Sequence, residues 1–424
     1  MPCSFLDMCM KKQLILFCSL LLLLCNISRA QIVRANLEND AVRRYLSEVS
    51  YNSSEDESQV IEYYVSTTGR LDWPTPVVVN VPASHDKYIQ EGSLVMAYSL
   101  NSDFSNVINS VKVDKRRINI YNLVPNETYY YCFVRNSTIV GVGKILTQGQ
   151  LRMIYAPSVL NVRDIGGWPT ADGRRVRYGK LYRGGELNGL HVADNADLTA
   201  LKQLGIAAEI DLRANYEEEH GVSAFGFVPE SATPLGQVPS YLYTADSGQL
   251  LEQMSQYKYL YRWKLEFQFI VKNLRIGRAV YYHCRHGADR TGYLSLLLEG
   301  LLGVDYDSLI KDFELTTFAR STRTKDIIDP TIEYIESLDG NTLQQKFRTF
   351  WIRKVGISES DVNYFISAML DGDDPIISSI DAAESMDNGG NPDTGYYDMQ
   401  GRRISEGQLR RGIYITNGRK IVVR

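Results

Sequence analysis

The spacing of hydrophobic residues changes several times along the chain, and each change marks a boundary. Behind Lys11 and Lys12, residues 14–25 form an almost unbroken apolar run, short for a membrane span, and residues 26–30 lead to Gln31. This is the pattern of an export signal, so residues 1–30 are read as a signal peptide cut after Ala30. Ala41, Val42, Tyr45, Leu46 and Val49 then recur at helical spacing, and the polar run 52–57 follows. Residues 31–59 are thus an N-terminal helix and linker. From 60 to 150 the pattern shifts to short runs between turn residues, which predicts strands over 61–66, 77–81, 93–100, 118–121, 128–135 and 140–147. That reads as a small all-β sandwich.

Helical and strand patterns mix over 151–371. A helix is expected at 198–204, a buried strand at 206–210, a long helix at 249–274, a buried strand at 278–282 and an apolar helix at 293–302. This is an α/β domain of ordinary size. Residues 372–393 are small and acidic and read as a linker, and 394–424 read as hairpin strands.

Composition narrows the picture only a little. A net charge of −4 over 424 residues gives no reason to expect a nucleic-acid partner. Of six cysteines, Cys3, Cys9, Cys18 and Cys25 leave with the signal, so Cys132 and Cys284 remain and no disulfide framework is possible. Cys132 sits in a strand pattern and reads as a small core residue.

The chemistry concentrates between the strand at 278–282 and the helix at 293–302. There His283, Cys284, Arg285, His286, Gly287, Ala288, Asp289, Arg290, Thr291 and Gly292 join a strand end to a helix start. Successive backbone N–H groups in such a loop can turn toward one oxyanion, and the helix N-terminus adds partial positive charge. Residues 285–290 are the phosphate-binding candidates. Gly287 and Gly292 permit close backbone approach, and Arg290 can grip two oxygens at once. The same field makes Cys284 a nucleophile at neutral pH. His283 is expected to brace the loop and Thr291 to hydrogen-bond the sulfur. A carboxylate must protonate the leaving oxygen, and Asp289 and Asp211 are the candidates. Asp211 is equally well placed to pair with Arg213. A buried cysteine beside a chance arginine would explain neither glycine.

His-Cys, five residues, Arg, Thr and Gly resembles the signature of the protein tyrosine phosphatase superfamily. Asn161 to Gly167 in sequence, the Gly179 to Leu187 stretch, and Asp211, Leu212 and Arg213 resemble its bacterial dual-specificity-like branch. The resemblance implies a cysteine-phosphatase fold with a mostly parallel central sheet flanked by helices, needing no metal or cofactor. It also implies hydrolysis of a phosphorylated protein or small phosphomonoester through a phosphocysteine. Inositol phosphates and phosphoinositides are the alternative substrates, and a non-catalytic phosphate-binding module is the alternative role. Relatives often carry Lys, associated with lipid substrates, where Ala288 stands here. Leu123, Pro125 and Tyr129 resemble the tyrosine corner of fibronectin type III domains. Tyr397, Asp398, Gly401 and Arg402, with Gly412, Ile413, Tyr414 and Ile415, resemble the C-terminal sorting segments of Bacteroidetes exported proteins. That implies secretion machinery as a partner and a periplasmic, surface or secreted location.

Overall fold

The computed structural model describes residues 31–51, 60–65, 69–319 and 321–372, together with four short strands between 396 and 423. The expected signal peptide at 1–30 and nearly all of the linker at 372–393 lie outside the described residues. The chain folds as two compact units, Met1–Gly372 and Asp373–Arg424. In the second unit, Tyr396–Tyr397, Arg403–Ile404, Gly412–Thr416 and Arg419–Val423 form one antiparallel sheet.

The first unit begins with a sheet that the sequence pattern only partly foretold. Strand β1, Gln31–Asn36, pairs in parallel with β7, Thr138–Gln148, so the residues read as a linker start instead lie on a sheet edge. Between them run α1 (Asp40–Glu48), β2 (Val77–Asn80), β3 (Leu94–Ser99), β4 (Val107–Lys112), β5 (Arg117–Ile120) and β6 (Thr128–Arg135). The larger sheet has the order β1-β7-β6-β3-β4, and β2 pairs with β5. Val77, Val79, Ile118 and Ile120 from the small sheet share one buried cluster with Leu94, Met96, Tyr129, Tyr131 and Phe133 from the large one. Alternate residues of each strand therefore face inward, as a half-buried strand requires. Tyr129 Oη accepts from the Val124 N–H at 2.9 Å, tying the chain back to its upstream backbone. Over the described part of the strand expected at 61–66, residues 61–65, no strand forms: Val60–Tyr63 is a single 3₁₀ turn. Six residues are too few for period alone to separate a strand from a turn.

Helix α1 packs on the α/β core and leaves the sandwich aside. Asn39 caps it by accepting from the Val42 N–H at 3.0 Å. Its inner face places Val42 and Tyr45 in the same cluster as Leu297, Phe313 and Phe318. Full burial of such side chains contributes roughly 1.5–3 kcal/mol each. Tyr45 Oη donates to Glu314 Oε2 at 2.6 Å, and Tyr51 Oη donates to the same oxygen. Burial, opposed by these hydrogen bonds, pushes the Glu314 carboxyl up to about 7.

The α/β layer holds β8 (Arg163–Asp164), β9 (Leu181–Gly184), α2 (Asn195–Gln203), β10 (Ile206–Asp211), β11 (Tyr241–Tyr243), α3 (Tyr257–Arg275), β12 (Ala279–His283), α4 (Asp289–Leu302) and α5 (Tyr306–Glu314). Three further helices follow, α6 (Asp329–Glu336), α7 (Leu343–Thr349) and α8 (Glu359–Met369). The sheet order is β11-β10-β12-β9-β8, parallel except where β8 meets β9. This is the α/β, mostly parallel, helix-flanked arrangement that the sequence implied. Buried on both faces, β12 is fully apolar or aromatic up to His283. Helix α4 is buried almost all round, and Gly300 lets it approach α7 closely: a Cβ there would lie 2.3 Å from Phe347 Cε2. Gly303, at φ +85°, ends the helix.

Candidate active site

The register of the parallel sheet puts four strand ends side by side. Asp211 lies opposite His283 and Tyr243, and His283 lies opposite Gly184. The loops leaving those ends, residues 185–192, 212–222, 244–256 and 284–288, therefore surround one place. That is where open α/β sheets bind ligands.

Cys284 stands at the floor of this ring, only 3% exposed. The loop that follows turns its carbonyls outward, where protein donors hold them. Arg285 O accepts from the Glu186 N–H at 3.1 Å, and Gly287 O accepts from Asn161 Nδ2 at 2.8 Å and Arg183 Nη2 at 3.0 Å. Among the described residues, none of the N–H groups from Arg285 to Arg290 donates to a protein acceptor. Gly287 has φ +67°, and a Cβ on it would lie 2.4 Å from Gly184 C, so only glycine fits. Because α4 starts at Asp289, these unclaimed N–H groups adjoin a helix N-terminus, a setting that suits an anion.

Arg290 is aimed by residues far away in sequence. Its guanidinium forks onto Glu217, with Nη2 to Oε1 at 2.9 Å and Nη1 to Oε2, and Nη1 also reaches Leu212 O at 3.2 Å. Glu217 also accepts from the Ala214 N–H and lies 3.4 Å from Arg285 Nε. Burial would raise the Glu217 carboxyl, but the Arg290 hydrogen bonds outweigh it and hold it below the ordinary range. The sequence offered no signal for Glu217 beyond its place in an acidic run.

His283 is buried, and its Nε2 lies 3.0 Å from Glu209 Oε1, which fixes the strand end just before the nucleophile. Thr291 departs from expectation. Its hydroxyl is buried and makes no hydrogen bond to Cys284 or to any other described residue. Gly292 lets Phe313 press against α4, since a Cβ would lie 2.8 Å from Phe313 Cε2.

The two general-acid candidates part company. Asp211 is completely buried and accepts from Arg213 Nε and Nη2, each at 2.9 Å, from Tyr241 Oη at 3.0 Å and from the Gly221 N–H at 2.9 Å. Burial raises its carboxyl, yet attraction from His283 and the Arg213 hydrogen bonds bring it down to about 2. Wholly buried and held by Arg213, Tyr241 and Gly221, Asp211 takes the ion-pair reading in place of the catalytic one. Arg213 likewise stays inside, stitching the loops at 186–189 and 217–221 through Glu186, Asn188 O and Glu218 O. Asp289, by contrast, stands 38% exposed at the rim, and Arg323 holds both its oxygens at 2.6 Å.

A third carboxylate went unnoticed in the sequence. Asp246, about one third exposed, lies 3.8 Å from Arg290 Nη1. Ala245 and Asp246 have φ of +53° and +74°, a conformation that non-glycine residues seldom adopt. The buried Glu266 steadies this bend by accepting from Thr244 Oγ1 at 2.8 Å and Ser247 Oγ at 3.2 Å. Arg163 and Arg183 are buried on Asp312, so neither is a surface cation. At the mouth His286 lies beside His191, their ring centroids 5.7 Å apart. Burial, then the charges of His191, Arg285 and Arg323, lowers the His286 imidazole below its ordinary value.

A buried thiol, loop amides with no protein acceptor and a forked arginine thus meet at the strand ends of a mostly parallel α/β sheet, an arrangement suited to an oxyanion. The family model described as the tyrosine phosphatase family matches residues 154–366, half of the chain, and the chain belongs to that family. A Cupriavidus necator protein named as a tyrosine-protein phosphatase is 32% identical over 168 residues, 37% of this chain and 60% of that protein. The chain thus spans less than two thirds of that relative. The triple specificity protein phosphatase PtpB of Mycobacterium tuberculosis is 23% identical over 279 residues, 50% of this chain and 98% of its own. The crystal structure of a human tyrosine phosphatase-like serine/threonine/tyrosine-interacting protein aligns at 17% identity and TM-score 0.24. It covers 37% of this chain and 90% of that one.

Proposed function

We propose that this chain is a cysteine-dependent phosphatase that hydrolyses phosphomonoesters, with phosphotyrosine as its preferred group. The observation that carries this reading is the set of unclaimed amides from Arg285 to Arg290 around Cys284, closed by an arginine that Glu217 pre-aims. Three non-bridging phosphate oxygens need that many donors, and a fixed fork needs little reorganisation to serve them. Cys284 Sγ attacks phosphorus in line as the bond to the leaving oxygen breaks. The leaving oxygen takes a proton from Asp289. Water then attacks the phosphocysteine, its proton returns to Asp289, and the sulfur departs as thiolate with release of inorganic phosphate.

Asp289 takes the acid role because it opens the helix that follows the phosphate loop and is partly exposed. Arg323 must release it, and an arriving dianion offers that guanidinium a competing partner. Asp289→Asn is expected to lower kcat about 10²-fold, whereas Asp246→Asn should leave it near wild type. A wild-type kcat in Asp289→Asn, with the loss in Asp246→Asn instead, would move the role to Asp246.

Exposed apolar residues next in the chain to His191 and Glu217 support an aryl group as substrate. Leu190, Val192 and Tyr216, exposed by 58%, 64% and 82%, flank His191 and Glu217 in the chain. Phosphate release by the full chain, with EDTA and reductant present, should be fastest on a phosphotyrosine peptide among phosphoserine, phosphoinositide and inositol hexakisphosphate competitors. Preference for the inositol phosphates would replace the substrate class, and release from none would leave a phosphate-binding module. The signal pattern at residues 11–30 and the strands after Tyr396 support an exported protein handed to secretion machinery. N-terminal sequencing of the exported protein should read from Gln31, and recovery of the chain solely inside the cell would contradict export.

A further inference from the structure

We propose that Asp72, which lies outside the region matched to the family, is a positioning residue of the phosphate loop, acting through Asn161 on the Gly287 carbonyl. The proposal rests on the phosphatase reading above and deepens it.

The chain of contacts is short and wholly buried. Asp72 is completely buried, and its Oδ2 accepts the Asn161 N–H at 2.8 Å. Asn161, also completely buried, has φ +57°, so its backbone needs an outside hold. With the backbone fixed, Asn161 Nδ2 donates to Gly287 O at 2.8 Å and to Thr316 Oγ1 at 3.1 Å, while Oδ1 accepts from Arg163. A trans peptide points its C=O and the next N–H in opposite directions. Pinning the Gly287 carbonyl outward therefore aims the Ala288 N–H into the anion site.

Asp72 is itself anchored. Arg70 forks onto it at 2.9 and 2.7 Å and reaches Pro157 O and Val159 O at 3.0 and 2.6 Å. The Leu71 N–H donates to Phe318 O at 2.8 Å, and Asn39 Nδ2 holds Leu71 O at 2.6 Å. A strap between helix α1 and the sandwich thereby reaches the back of the phosphate loop. Arg183 Nη2 also donates to Gly287 O, at 3.0 Å, but Asn161 is the partner of that carbonyl whose backbone Asp72 holds.

The test compares Asp72→Ala with Asp72→Asn in the full chain, reading unfolding temperature, kcat, KM and tungstate affinity by calorimetry. Both variants lose the charge pair with Arg70, but asparagine keeps an oxygen to accept the Asn161 N–H. Asp72→Ala is expected to lose about 10-fold or more in kcat and in tungstate affinity, since a single oxyanion donor is worth up to about 10²–10³. Asp72→Asn should recover most of both while unfolding at a similarly lowered temperature. Wild-type kcat and tungstate affinity in a folded Asp72→Ala protein would overturn the proposal. Should that variant fail to fold, the isosteric Asn161→Asp, which removes the Gly287 donor, is read the same way, and unchanged tungstate affinity overturns it. If the wild type binds tungstate but turns nothing over, the phosphatase reading fails while the tungstate comparison still decides this one.

Discussion

Cys284→Ser is expected to lower kcat about 10⁴-fold or more while tungstate affinity stays within a few-fold of wild type. The magnitude follows from removing the nucleophile of a two-step reaction, for which losses of about 10⁴–10⁶ are ordinary. Binding should survive because the anion site is made of backbone amides and Arg290, and their aim is set by Gly287, Asn161, Arg183 and Glu217. Serine differs from cysteine by one atom on the floor of that site and leaves those bonds in place. Steady-state kinetics beside calorimetry separate the two effects. Turnover near the wild-type rate would remove Cys284 from the mechanism, and loss of tungstate binding would mean that the sulfur itself holds the loop in shape.

Arg290→Ala should lose both turnover and tungstate binding, with kcat/KM falling about 10³-fold or more. Arg290→Lys should restore little of it, because an ammonium cannot fork onto two oxygens at once. The alanine variant also leaves the buried Glu217 with only the Ala214 N–H and the more distant Arg285, a cost of the order of 2 kcal/mol that thermal unfolding would show. Glu217→Gln separates aim from charge: it keeps an acceptor for Arg290 and should cost about 10-fold in kcat/KM. It should also flatten part of the acid limb of stability. A carboxyl held low in the fold contributes fully above its unfolded value, near about 4.3, and that contribution disappears as pH falls through the lower folded value. An Arg290→Lys enzyme as active as wild type would show that the fork is not what the reaction uses.

The parts of this site that could be read in the sequence are those that lie together in it. Cys284, the five residues after it, Arg290 and the two glycines form one strand-to-helix loop, and spacing alone carries their chemistry. The partners that aim them come from the sheet order, which no local period reveals. Glu217 lies 73 positions from Arg290, Asp312 lies 149 from Arg163, and Asp72 lies 89 from Asn161. Asp211 misled because a carboxylate at a strand end is equally suited to catalysis or to an ion pair. Only its full burial against Arg213 decides between them. Strand β1 was missed for the same reason as Glu217, since its partner β7 begins about a hundred residues later and pairs with it in parallel.

The central claim is that the sulfur of Cys284 carries the phosphoryl group. The most direct test quenches the full chain in acid during turnover of a phosphotyrosine peptide and maps the phosphate by mass spectrometry. The expected result is a phosphate on the peptide containing Cys284, absent in Cys284→Ser. Sustained turnover with Cys284 unmodified at every quench time, or phosphate on another residue, would contradict it.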